Sequence, residues 1–98
     1  MKLYLVHVGF YDDNISSGFY ESHTNYFVVA YNIKSAKSKA RSIKEFKDKK
    51  MHIDGIMEVN EVDGYNINLK PINNVDTLSG VKKYSYDEVK KINWFNSL

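Results

Sequence analysis

Two segments of this chain are apolar on both faces, and there is too little helix elsewhere to cover them twice. Lys2 to Phe10 (K-L-Y-L-V-H-V-G-F) is nearly continuous in Leu, Tyr and Val. Asn25 to Tyr31 (N-Y-F-V-V-A-Y) sets Tyr26, Val28 and Ala30 on one side of an extended chain and Phe27, Val29 and Tyr31 on the other. Strands of that kind are usually central, with a layer on each side. Between them, Tyr11 to Ser22 holds Asp12, Asp13, Asn14, Ser16, Ser17 and Gly18, a run of turn formers that reads as a loop.

One long helix follows. Asn32 is a good N-cap, and Ile33, Ala36, Ala40, Ile43 and Phe46 recur at steps of three and four, which predicts an amphipathic helix to about Lys49. Its polar face carries the lysines. A single main helix covers one face of a sheet. The other face then needs the C-terminal segment or a second copy of the chain.

His52 to Leu69 predicts a hairpin. A two-residue Asp63-Gly64 turn would mix polar and apolar residues on one face. A three-residue loop, Val62-Asp63-Gly64, pairs Glu61 with Tyr65, Val59 with Ile67 and Met57 with Leu69, and places Gly64 at a left-handed bulge position. This register is the expectation, with Met57, Val59, Tyr65, Ile67 and Leu69 facing the core. His52 and Asp54 then fall on the polar face with Glu58 and Asn60, although Ile56 breaks the alternation and Gly55 can mark a bulge that re-aims the pair. Pro71 to Gly80 reads as a linker. Ser85-Tyr86-Asp87-Glu88 has capping-box spacing, and Val89, Ile92 and Phe95 give a short terminal helix.

The predicted fold class is thus α+β: a small, mainly antiparallel four-stranded sheet in the order β-β-α-β-β with a short C-terminal helix. With 98 residues the chain is expected to form one domain over 1–98, burying about 65% of its unfolded surface, with 71–98 as an extension packed on it. No apolar run approaches the roughly 20 residues that span a bilayer, and no signal peptide is visible, so a cytoplasmic location without membrane contact is expected. The absence of cysteine removes thiol nucleophiles and thiolate metal sites.

Residues 34–50 hold eight basic and two acidic side chains, so this stretch is net +6 and the remainder −4 against an overall +2. Lys34, Lys37 and Lys44 are therefore candidates for contacting an anion such as nucleic-acid phosphate. They form no single stripe, and a solvated helix face is the favoured explanation. Asn25 to Ala40 faintly echoes part of an RNA-recognition motif. That fold requires a helix where residues 11–22 are turn formers, and its glycine-containing aromatic signature is missing.

Histidine is scarce: His7, His23 and His52. Glu21 with His23, and His52 with Asp54, are each two residues apart, so on a strand each pair projects from one face. Such a cluster suits a zinc or manganese site, or a base with its orienting carboxylate. Ordinary polar residues at strand starts are the competing reading, and the sequence does not show that the pairs meet. No G-x-S-x-G elbow, Walker loop or G-x-G-x-x-G is present. No cofactor or metal ligand is assigned from sequence alone.

At E-x-H-x-x-x-F-V-V-A (Glu21 to Ala30), the lysine-rich helix and H-x-D (His52 to Asp54), the chain resembles the small bacterial family of domains of unknown function numbered fifteen-forty-three, over roughly residues 2–70. The resemblance implies a small α+β domain and no assigned activity, and it marks Glu21, His23, His52 and Asp54 as the positions to examine first. The family pattern has paired glycines after strand one, where this chain has Gly9-Phe10. The leading functional expectation is a non-enzymatic binding or assembly domain that forms a homodimer. A small metal-dependent or acid–base enzyme using the four-residue cluster, and a phosphate-contacting nucleic-acid accessory, are the alternatives.

Overall fold

The structure is a computed structural model that describes residues 1–73 and 80–92. Part of the predicted linker, residues 74–79, and the Phe95 end of the predicted terminal helix lie outside the described residues.

The order is β1 (Lys2–Phe10), a 3₁₀ turn at Ser16–Gly18, β2 (Ser22–Ala30), α1 (Ile33–Arg41), α2 (Lys44–Asp48), β3 (His52–Val59), β4 (Glu61–Val62), β5 (Tyr65–Asn66) and α3 (Tyr86–Lys91). β1 lies centrally in an antiparallel sheet ordered β2-β1-β3. The expected four-stranded sheet is corrected to three strands, because β4 and β5 pair only with each other.

Period-two alternation divides β1 cleanly. Tyr4, Val6, Val8 and Phe10 are buried under α1 and α2, together with Val28, Ala30, Ala36, Ala40, Phe46 and Met51. Leu3, Leu5, His7 and Gly9 point to the opposite face, which neither α1 nor α2 covers. Asn32 caps α1 as expected, its Oδ1 accepting from Ser35 N–H at 2.9 Å.

The single helix to Lys49 is corrected to two. Ser42 Oγ donates to the Ser38 carbonyl at 2.8 Å, Ile43 N–H closes on the Ala40 carbonyl, and Ile43 itself is extended. Serine back-bonding of this kind bends helices. The break re-aims the second segment so that Phe46 enters the core, while Ile33 stays 55% exposed at the outer end. α2 ends in a Schellman closure: Met51 N–H donates to the Phe46 carbonyl and Lys50 N–H to Lys47, with Lys50 left-handed at φ 50°. Tyr26 donates to Glu45 on α2, and burial with this carboxylate raises its hydroxyl pKa above the ordinary range. Burial likewise raises Tyr4, whose hydroxyl lies 3.4 Å from Glu58 Oε1. The Glu58 carboxyl is held below its ordinary value, chiefly by a hydrogen bond from Asn60 and then by Lys2 at 3.3 Å.

The hairpin register is also corrected. Glu61 pairs with Asn66 and Val62 with Tyr65, leaving a two-residue Asp63-Gly64 turn. Both turn residues have positive φ, 52° and 81°, the type I′ geometry that Asp-Gly favours in two-residue hairpins. Alignment of apolar sets does not decide here, because both faces meet solvent: Val62 and its partner Tyr65 are exposed on one, Glu61 and its partner Asn66 on the other. Tyr65 and Leu69 are exposed rather than in the core. Ser85 and Glu88 form the expected reciprocal capping box on α3, every residue of which is exposed. No helix among the described residues is long and apolar enough to cross a membrane.

A candidate metal centre on the open sheet face

The open face is organised in rows across β2, β1 and β3. The rows read Val29–Leu3–Val59, Phe27–Leu5–Met57, Asn25–His7–Gly55 and His23–Gly9–His52. One half is apolar and the other is polar, with two histidines flanking a glycine.

A bulge makes the polar half. Val8 pairs with Ile53 and His7 with Gly55, so Asp54 is an extra residue on β3. An added residue reverses the alternation downstream. Asp54 and His52 therefore share the open face, Ile56 turns inward beside the core, and Met57 and Val59 turn outward. This corrects the expectation that Met57 and Val59 face the core opposite His52 and Asp54. Met57 is 61% exposed. The bulge signalled by Gly55 and Ile56 is present, and it decides where Asp54 points.

β2 extends back to Ser22, earlier than its apolar run, which sets His23 on a strand beside Gly9. Glu21, two residues before it, reaches the same place. The four sequence candidates come together as a ring in which histidine and carboxylate alternate. His52 Nε2 lies 2.6 Å from Glu21 Oε1 and 3.1 Å from Asp54 Oδ1. His23 Nε2 lies 3.2 Å from Asp54 Oδ2 and 3.7 Å from Glu21 Oε1. The side chains are 31–49% exposed, so a solute ion can reach them.

Gly9 forms the floor. A Cβ there would stand 2.2 Å from Glu21 Oε1, 2.6 Å from His52 Nε2 and 2.7 Å from Asp54 Oδ2. The glycine is needed for this close approach, since its φ is not positive.

Sequence reasoning passed over Gly9, His7 and Asn25. His7 stacks on His23 with centroids 5.0 Å apart and planes 6° from parallel, and its Nδ1 lies 2.8 Å from Asn25 Oδ1. The missed signal was the strand period, which sets His7 and Gly9 on one face and Val6 and Val8 on the other. A shallow groove of about 360 Å³, lined by Leu5, His7, Asn25, Gly55, Ile56 and Met57, joins the polar and apolar halves.

The lysine candidates are not gathered at this site. Lys34 and Lys37 lie on α1, while Lys44 lies beyond the helix break on α2 and pairs with Asp48 at 2.6 Å.

The family described as Domain of Unknown Function (DUF1543) matches residues 18–69, more than half of the chain. The chain belongs to this family. The matched part of this DUF1543 domain carries Glu21, His23, His52 and Asp54, whereas β1 with His7 and Gly9 precedes it. No curated protein and no solved structure matches the chain.

Proposed function

We propose that this DUF1543 domain binds a divalent first-row transition-metal ion, zinc in the first instance, with Glu21, His52 and Asp54 as ligands and His23 beside them. The observation that carries this reading is the convergence of both His/carboxylate pairs over Gly9. Both Nε2 atoms approach the same Glu21 Oε1, at 2.6 and 3.7 Å, so the two ring nitrogens lie no further apart than those distances together. Ligands at about 2.0–2.2 Å from tetrahedral zinc stand about 3.3–3.6 Å from one another. The ring contacts, 2.6 to 3.7 Å, bracket that spacing.

Charge and donor type agree with it. Two carboxylates with two neutral imidazoles give a net charge that a divalent cation balances. Imidazole nitrogen mixed with carboxylate oxygen suits zinc or manganese better than calcium or magnesium. Calorimetric titration of dialysed protein with zinc tests the reading: at least one ion per chain is expected, with one ion fewer in His52→Ala. A wild-type chain that binds no zinc refutes it.

A second reading concerns assembly, and the apolar rows of the same face favour it. Leu3, Leu5, Phe27, Val29, Met57 and Val59 form one side of the sheet, with Phe27 57% and Met57 61% exposed. A second copy of the chain laid on these rows would cover them and leave the polar half at the edge. Light scattering at tens of micromolar is expected to give the dimer mass; a clean monomer rejects it.

A further inference from the structure

Resting on the metal-binding reading, we infer that the site is dinuclear: a second divalent transition-metal ion binds at His7, His23 and Asp54, and Asp54 bridges the two ions. Two triads lie side by side. Glu21, His52 and Asp54 each offer one ligand atom within 4.8 Å of the others, and so do His7, His23 and Asp54. Asp54 belongs to both, and its two oxygens are already divided. Oδ1 faces His52 at 3.1 Å and Oδ2 faces His23 at 3.2 Å. A carboxylate presenting one oxygen to each donor set has the geometry of a bridge between ions roughly 3.5–4 Å apart.

His7 is prepared for the role. Its Nδ1–H tautomer donates to Asn25 Oδ1 at 2.8 Å, which leaves the lone pair on Nε2. Metal-ligating histidines are commonly oriented through their other ring nitrogen in this way, and the partner fixes both tautomer and ring plane. The near-parallel stack, with centroids 5.0 Å apart and 6° between planes, sets His7 directly beside His23. Position along the sheet fits as well. His7 is one open-face step from Gly9, and Asp54, the bulge residue, falls between the rows of His7 and Gly9. The bulge that delivers Asp54 to the first ion therefore places it between the two donor sets.

Stoichiometry separates this inference from the reading beneath it. Dialysed protein is loaded with excess zinc, gel-filtered and assayed for metal by mass spectrometry, beside His7→Ala and an Asn25→Ala positioning variant. The expected result is two ions per chain in the wild type and one in His7→Ala. In Asn25→Ala the second ion should bind about 10–100-fold more weakly, the usual effect of losing such an orienting partner. His7 is exposed, and circular dichroism confirms that each variant folds. One ion per chain in the wild type overturns the second site and leaves the first. No bound ion overturns both. Two ions in His7→Ala overturn the assignment of ligands. Loading with manganese adds a spectroscopic criterion: electron paramagnetic resonance should show exchange-coupled ions, and two uncoupled ions would overturn the Asp54 bridge.

Discussion

Replacing Gly9 by alanine isolates the cluster from the fold. The added Cβ would stand 2.2, 2.6 and 2.7 Å from Glu21 Oε1, His52 Nε2 and Asp54 Oδ2, against 3.4 Å where ordinary contact begins. All three groups must retreat, and they can do so because they are partly exposed. Exposed ion pairs contribute about 0–1 kcal/mol each, and alanine recovers about 0.5–1 kcal/mol of conformational entropy relative to glycine in a strand. The stability of the metal-free protein should therefore change by less than about 1 kcal/mol. Metal binding is far less tolerant, since ligand distances must hold to about 0.2 Å. An affinity loss of at least about 100-fold, or roughly 2.7 kcal/mol, is expected. In thermal melts with zinc at about 100 times the wild-type Kd, linkage adds about 2.7 kcal/mol to the wild type but only about 0.4 kcal/mol to the variant. At roughly 4–8 °C per kcal/mol for a domain of this size, the wild type gains about 10–20 °C and the variant about 2–3 °C. Wild-type zinc affinity in Gly9→Ala would refute the reasoning that these three groups share one ion.

Lys50→Gly should stabilise the domain by about 0.5–1 kcal/mol in urea titration, because glycine relieves the left-handed position closing α2. Val6→Ala, at a fully buried position, should cost about 1.5–3 kcal/mol in the same assay. Raised folded-state pKa values at Tyr26 and Tyr4 mean that the unfolded state loses these protons first, so their contribution is complete below pH 10 and falls as pH rises above it; Tyr26→Phe should flatten part of that alkaline loss in thermal melts. The lowered Glu58 value has the opposite sign: its contribution is complete above its ordinary pKa of 4.5 and fades as pH falls below it, and Glu58→Gln should remove that slope. Phe27→Asp together with Met57→Asp should leave the protein folded and monomeric in light scattering, whereas wild-type self-association that survives both changes would place the contact elsewhere.

The first two strands, the Asn32 cap, the start of the helix and the terminal capping box were legible because each rests on local chemistry: periodicity, β-branched and aromatic content, and side-chain oxygens near orphan N–H groups. Doubly apolar strands with too little helix pointed to a sheet face that the main helix leaves over, and neither α1 nor α2 covers it, but only β1 is central as expected and β2 is an edge strand. The hairpin register was misread because it was argued from burial that the hairpin does not have, while the turn preference of Asp63-Gly64 was the stronger term. The two His/carboxylate pairs were visible as spacings, and Gly55 with Ile56 marked the bulge. Which residues shared a face could not follow, since one inserted residue inverts every side chain beyond it. Only the antiparallel register of three strands set His23 and His52 on either side of Gly9, brought Glu21 and Asp54 between them, and added His7. Sequence determined which groups could ligate; tertiary structure decided that they meet, because a sheet joins residues some 30 positions apart by backbone pairing rather than by local pattern.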